Sequence, residues 1–278
     1  LATLLPLVLW TPPRPPAGEA RVTVLDVGQG LAVHVQTAAH DLIYDTGPAF
    51  SADANSGERI LLPYLRAAGV RRLHALVVTH QDNDHAGGAE AVLEGIAVER
   101  VRSSLPENHP VRLIAGPRDT PCVTGQAWEW DGVRFAMLHP AADSTAVRPN
   151  DQACVLRVEA AGRSLLLTSD IEAESEASLL QRSAGDLASD VLVAPHHGSR
   201  TSSTPAFIAA TAPRWVIFPV GYRNRFRHPN PAVWARWHAS GAGLLRTDAA
   251  GAVRFQLGAA ELQPEGERAR QPRYWHGR

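Results

Sequence analysis

The stretch Leu76-Val77-Val78-Thr79-His80-Gln81-Asp82-Asn83-Asp84-His85-Ala86-Gly87-Gly88 decides how this chain is read. Leu76, Val77 and Val78 form a short, largely β-branched run, the pattern of a buried strand. His80, Asp82, Asp84 and His85 then fall within six residues. Gly87 and Gly88 let the backbone turn, and helical spacing begins at Ala89. Two imidazoles and two carboxylates crowded at one strand end are costly unless a cation sits among them. Neutral imidazole and carboxylate suit Zn2+, Mn2+ and related ions. The spacing sends His80 and Asp82 one way and Asp84 and His85 another, which fits two adjacent metals better than one. The plain alternative is a solvated polar loop with chance histidines.

Polar residues recur at other strand ends. Asp170 follows Leu165-Leu-Leu-Thr-Ser169. Alone it reads as a helix cap, with Glu172 and Glu174 close by. Beside the first cluster it reads as a carboxylate shared by two cations. His139 stands at a strand end before Pro140. His196 and His197 precede Gly198-Ser199 after the apolar run Val191-Leu-Val. Of this pair, His196 is expected on a metal and His197 near substrate. Two adjacent metals point to hydrolysis, because together they activate water and clamp attacking and leaving oxygens. Neither cysteine lies beside a histidine in sequence, so no Cys-His nucleophile competes.

The rest of the chain alternates strands and helices. Residues 21–36 alternate apolar and polar positions around Asp26-Val-Gly28-Gln-Gly30, a hairpin signal. A third strand over residues 41–45 stops at Thr46-Gly47-Pro48, and residues 59–68 have helical spacing. Asp131-Gly132 and Ala161-Gly162 each separate two alternating runs, a strong hairpin cue. Helices are predicted over residues 173–182, from Pro205 and from Pro231, and strands over residues 190–194, 215–220 and 251–256. The predicted class is α/β, with a site built from loops on a rigid sheet.

The chain has 278 residues and a net charge of -1, so nothing global indicates nucleic acid or membrane. All 27 basic residues are arginine, which a biased genome explains. Cys122 and Cys154 are not in a Cys-x-x-Cys pair, which argues against a zinc knuckle. One disulfide and two buried thiols both remain open on composition. Residues 1–10 are apolar but about half the length that spans a bilayer, and read as the tail of a transmembrane segment or a signal remnant. A Pro-rich linker follows. The expected organisation is residues 1–18 outside the fold, a domain over 19–264, and a disordered Arg-rich tail over 265–278.

His80-x-Asp82-x-Asp84-His85 resembles the metallo-β-lactamase signature His-x-His-x-Asp-His, with Asp82 in place of the second histidine. Together with Asp26-Val-Gly-Gln-Gly30, Asp45-Thr-Gly-Pro48, residues 150–156, residues 167–170 and Pro195-His-His-Gly-Ser199, it is similar to the C-terminal domain of the ComEC competence DNA-internalisation proteins. The resemblance implies a four-layer αββα sandwich with two mixed sheets. It implies a nuclease with two divalent ions, Mn2+ foremost and Zn2+ the alternative, acting on DNA at the periplasmic side of the inner membrane. His80, Asp82 and His139 would hold one ion, Asp84, His85 and His196 the other, and Asp170 would bridge. Asp84 would also orient the attacking hydroxide. Asn150, His197 and Ser199 would lie near the scissile phosphate.

The resemblance also implies the rest of a membrane DNA channel as partner, a monomeric isolated domain, and an oxidising compartment that favours a Cys122–Cys154 disulfide. Arg223, Arg225 and Arg227 would grip phosphates, with His228 protonating the leaving alkoxide. Two departures stand out. Leu31 replaces an acidic residue after Gly-Gln-Gly, and Asn150-Asp-Gln-Ala153 replaces the usual Asn-Asn-x-Ser. The competing expectations are a small-ester or lactone metallo-hydrolase and a non-catalytic module that guides DNA.

Overall fold

Side-chain parity along the strands builds the layers. A computed structural model describes residues 12–144 and 146–274. Along the strand Ala75–Val78, Ala75 and Val77 face one core while Leu76 and Val78 face another. A strand buried on both faces lies inside a layered α/β structure.

The first sheet contains β1 (Ala20–Val24), β2 (Val33–Gln36), β3 (Asp41–Tyr44), β4 (Ala75–Val78), β5 (Val101–Ser103) and β6 (Asp119–Pro121). The second contains β7 (Ala127–Trp130), β8 (Val133–His139), β9 (Val155–Ala160), β10 (Arg163–Leu167), β11 (Val191–Val193), β12 (Trp215–Phe218) and β13 (Gly243–Arg246). The chain then returns with β14 (Val253–Leu257) and β15 (Glu265–Gly266), which extend the first sheet. The orders are β6-β5-β4-β3-β2-β1-β14-β15 and β7-β8-β9-β10-β11-β12-β13, and both sheets mix parallel and antiparallel pairs. At Asp131-Gly132, φ of 54° and 78° matches the tight hairpin turn predicted there.

Val22, Val33, Leu42, Phe135, Leu156 and Leu165 meet between the sheets. On the outer face of the first sheet, helices α1 (Leu62–Ala67), α3 (Ala89–Gly95) and α4 (Pro110–Ala115) contribute Leu65, Val92 and Val111. A short helix α2 (Asn83–Ala86) lies in the loop before α3. Helices α5 (Ala173–Ser183), α6 (Pro205–Thr211) and α7 (Pro231–Ala239) bring Leu179, Phe207 and Trp237 against the second sheet. The result is the αββα sandwich. Tyr44 crosses its centre, its hydroxyl donating to the carbonyls of Cys154 and Leu167.

Two boundaries differ from expectation. The transmembrane tail expected at residues 1–10 lies outside the described residues. Of the excluded linker, Arg14 is folded onto the domain: its guanidinium donates to the carbonyls of Thr37, Ala38 and His40 and to the Asp41 carboxylate at 2.8–3.2 Å. The tail expected to be disordered from 265 instead begins with β15, paired to β14, and Arg268 donates to the Asp248 carbonyl and pairs with Asp26. Backbone pairing and a planar donor outweigh the polar composition that suggested disorder.

Candidate metal centre

The loop after β4 opens over the ends of both sheets. Leu31 N donates to the Asp84 carbonyl at 3.0 Å, and a Cβ on Gly30 would sit 2.5 Å from that oxygen, so the Asp26–Gly30 turn braces the loop. Gly87 and Gly88 are packed against the Ala49 and Gly57 backbone, leaving no room for a side chain.

Hydrogen bonds fix four imidazoles in one sense. His85 Nδ1 donates to Asp45 Oδ2 at 2.8 Å, His197 Nδ1 to the Pro219 carbonyl at 2.8 Å, and His196 Nδ1 to Thr201 Oγ1 at 3.3 Å, whose own proton goes to Glu172 Oε1. Thr79 Oγ1 gives its proton to Asp45 Oδ2 at 2.9 Å, so His80 Nδ1, 2.9 Å from the same hydroxyl, is the donor there. Each ring therefore turns Nε2 inward with its lone pair available when neutral, the arrangement that prepares a histidine to bind metal.

The inward atoms converge on Asp170. Its Oδ1 lies 3.0 Å from His85 Nε2 and 3.3 Å from His197 Nε2, with no aligned hydrogen bond, and its Oδ2 lies 3.6 Å from His196 Nε2. His85 Nε2 and His197 Nε2 are 3.2 Å apart, and Asp84 Oδ2 is 3.4 Å from His197 Nε2. One ligand atom from each of Asp84, His85, Asp170 and His197 fits within 4.8 Å. Beside them His80 Nε2 is buried without a partner, 3.7 Å from Asp82 Oδ2. Buried, convergent and unsatisfied nitrogens and oxygens fit divalent cations.

Of the residues expected to bind metal, His80, Asp82, Asp84, His85, Asp170 and His196 come together. His139 does not. Its Nε2 donates to the Asp151 carbonyl at 2.8 Å and its Nδ1 accepts from Arg182 at 3.3 Å, so neither nitrogen is free for an ion. His197, expected near substrate, is instead inside the compact cluster, and His196 sits at its rim. Residues 195–198 form a tight turn with φ of 47° at His196 and 53° at His197, which carries the second imidazole inward.

Asn150 lies on the turn Pro149–Gln152. Ser199 Oγ bonds Thr201 Oγ1 at 2.9 Å. The exposed Arg223, Arg225 and Arg227 are on the loop that carries His228, whose ring is 5.8 Å from His196 and 6.3 Å from His197. Burial and those two imidazoles push His228 down to about 4. It is neutral at pH 7, which does not suit the proton-donor role expected of it.

Three positioning residues went unread. Asp45 is fully buried and holds both His85 and Thr79. Ser169 bonds Thr79 Oγ1 at 2.6 Å, and Glu172 pairs with His196 and anchors the Thr201 hydroxyl that bonds it. Asp45 and Ser169 have positive φ, 58° and 49°, a backbone strain that concentrates at functional sites. Asp45-Thr-Gly-Pro48 was visible as a motif, but nothing in its spacing told that Asp45 faces His85.

With the geometry described, comparison identifies the family. Residues 25–221 match the family described as "Metallo-beta-lactamase superfamily". The chain belongs to this superfamily. Within it, the chain is 43% identical over 251 residues to "Competence protein ComA" of Neisseria gonorrhoeae, covering 90% of this chain and 34% of that protein. It is 34% identical over 241 residues to "Recombination protein 2" of Haemophilus influenzae, covering 85% and 29%. The chain thus spans about a third of the length of the curated relatives it matches. The solved metallo-beta-lactamase fold protein YhfI of Bacillus subtilis superposes with a TM-score of 0.52 at 9% identity, over 81% of this chain and 95% of that one, a likeness of fold. The chain is a metallo-beta-lactamase domain related to competence proteins, with a His/Asp cluster able to hold metal.

Two predictions arise from this centre. Asp45→Asn keeps the shape but weakens the hold on His85 Nδ1, so metal affinity should fall about 10- to 100-fold, the usual loss for an orienting partner of a metal ligand. A competition titration with a chelating dye measures it, and unchanged affinity would show that Asp45 does not orient His85.

The second prediction concerns pH. Burial alone would lower both His85 and His197, yet the Asp170 carboxylate, with Asp45 for His85 and Asp84 for His197, holds both up, His197 to about 9. In the metal-free protein these carboxylates favour protonated imidazole at this pair, and a proton held there must leave when an ion binds. Calorimetric titration in buffers of different ionisation enthalpy should therefore read proton release at pH 7, diminishing above about pH 9. The same protonation supports the metal-free fold. His197's contribution is complete below 6.5 and is lost as pH rises through about 9. Asp84, held down to about 2 by His197 and His85 against its burial, contributes above 3.8 and loses this as pH falls through about 2. A melting temperature in EDTA that rose between pH 7 and 9 would contradict the sign.

Proposed function

We propose that this domain is a two-metal phosphodiesterase that cleaves DNA during its uptake. The observation that carries the reading is the buried, outward-opening His/Asp cluster bordered by an arginine loop, in a chain related to competence proteins. Asp84, His85 and His197 would hold one ion, His80, Asp82 and His196 the other, and Asp170 would be shared by both. When bound, two divalent ions, Mn2+ foremost and Zn2+ the alternative, provide Lewis acidity and a hydroxide at neutral pH. The harder oxygen ligand at Asp82 supports Mn2+.

Arg223, Arg225 and Arg227 neutralise phosphates beside the scissile one. His228, neutral, donates one N–H to a phosphate oxygen. Ser199 braces the His196 turn through Thr201, and Asn150, on the turn leading to Cys154, faces the substrate. The domain acts on the extracytoplasmic side as part of a larger membrane DNA channel and as a single copy. The Cys122–Cys154 disulfide suits that compartment.

Cleavage of labelled linear DNA with Mn2+, Zn2+, Mg2+ or EDTA tests the activity. The expected result is cleavage with Mn2+ that stops in EDTA. DNA binding without cleavage in any metal would leave a guiding module, and turnover of a lactone or β-lactam in place of DNA would leave a small-molecule hydrolase.

A further inference from the structure

Residues 222–228 read Tyr-Arg-Asn-Arg-Phe-Arg-His, so aromatic rings alternate with the arginines. Tyr222 is 72% exposed and Phe226 52%, whereas Tyr44 and Phe218 are buried. Each exposed ring carries an arginine: the Arg223 guanidinium carbon lies 5.1 Å from the Tyr222 ring centre, and that of Arg225 4.8 Å from Phe226. Phe226 also stacks on His228 at 5.7 Å, and His228 stacks on His197 at 6.3 Å. The rings thus form a short series leading from solvent to the metal cluster.

The loop is held in shape. Asn224 clasps it, donating to the His228 carbonyl at 2.7 Å and accepting from His228 N at 2.8 Å. Gly221 N donates to Gln29 Oε1 at 3.2 Å, fastening its start to the Asp26–Gly30 turn. A preformed loop spends little ordering entropy on binding. Both rings nonetheless leave half or more of their surface to solvent.

We propose that Tyr222 and Phe226 are stacking platforms for unpaired bases, and that the loop selects single-stranded DNA beside the metal cluster. The inference rests on the nuclease reading and deepens it. Every base offers a π-face to an aromatic ring, while a duplex hides those faces. An arginine over an exposed ring is held only weakly. When a base takes the ring, the guanidinium swings to the adjoining phosphate, so stacking and charge neutralisation come from neighbouring residues. Three arginines and two rings within seven residues match the alternation of charge and base along a single strand.

Binding is measured on the whole 278-residue chain in EDTA, so that no cleavage intervenes. Fluorescence anisotropy uses a labelled 12-nucleotide mixed-sequence strand and the same sequence as a blunt duplex. The wild type should prefer the single strand. Tyr222→Ala and Phe226→Ala should each weaken single-strand binding on the order of tenfold, the usual scale for one stacked base, with duplex binding little changed. Phe226→Trp should restore it. Equal affinity for both forms, or single-strand binding untouched by removing both rings, would overturn the proposal. So would rings needed for sedimentation with phosphatidylglycerol vesicles but not for DNA, which would make the loop a membrane contact. Because both residues are exposed, matching melting temperatures certify the variants. A chain that binds strands this way yet cuts none with Mn2+ would sink the nuclease reading alone.

Discussion

Asp170→Asn should abolish metal-dependent cleavage and lower metal affinity by more than about 100-fold, beyond the range for an outer partner of a ligand. Asn preserves the shape of the side chain and removes its charge. That charge is the centre of the site: Asp170 lies within 3.0–3.6 Å of inward nitrogens on His85, His197 and His196. Burial would favour the neutral acid, yet the imidazoles of His197 and His85 hold it well below the usual carboxylate range. On the two-metal reading it is the carboxylate placed to be shared, with one oxygen toward His85 and His197 and the other toward His196. Metal titration with parallel cleavage assays checks this, and a variant that still binds two ions tightly would show that Asp170 does not bridge. The substitution should also let His85 and His197 shed their protons at lower pH, since each owes its raised value chiefly to Asp170.

Removing the disulfide should cost about 3–4 kcal/mol, the value expected for a loop of this size. Cys122 and Cys154 are 32 residues apart and both buried. The bridge fastens the chain just after β6 to the start of β9, tying one sheet to the other. Cys154 N donates to the Thr79 carbonyl at 3.3 Å, and its own carbonyl takes the Tyr44 hydroxyl. Thr79 in turn contacts Asp45, His80 and Ser169. A Cys122→Ala/Cys154→Ala chain should thus lose stability and hold metal more weakly. Denaturant unfolding with and without reductant measures the first effect. A difference under about 1 kcal/mol would mean that packing between the sheets, not the bridge, fixes this end of the sandwich.

The contrast between His196 and His197 explains what was legible. Sequence places both imidazoles at the end of β11, but which one enters the cluster depends on turn dihedrals and on acceptors far away in the chain. The Pro219 carbonyl holds His197 inward, and the Glu172 carboxylate pairs with His196 at the rim, both directly and through Thr201. His139 shows the same dependence with the opposite result. It ends its strand as predicted, yet the Asp151 carbonyl and Arg182 engage both nitrogens. Asp45 was hidden for a related reason, because its partners are 34 and 40 residues away.

By itself the sequence determined the α/β class, the tight hairpin at Asp131-Gly132, the crowding of ligand-type residues after Val78, and the arginine loop before Pro229. These are local properties, set by side-chain alternation, turn chemistry and the cost of gathering charge. Only the tertiary structure decided which imidazoles converge, that Asp45 stands behind them, and that Arg14 and residues 265–270 belong to the fold. Those outcomes depend on hydrogen bonds across the two sheets, between groups that one-dimensional spacing cannot bring together.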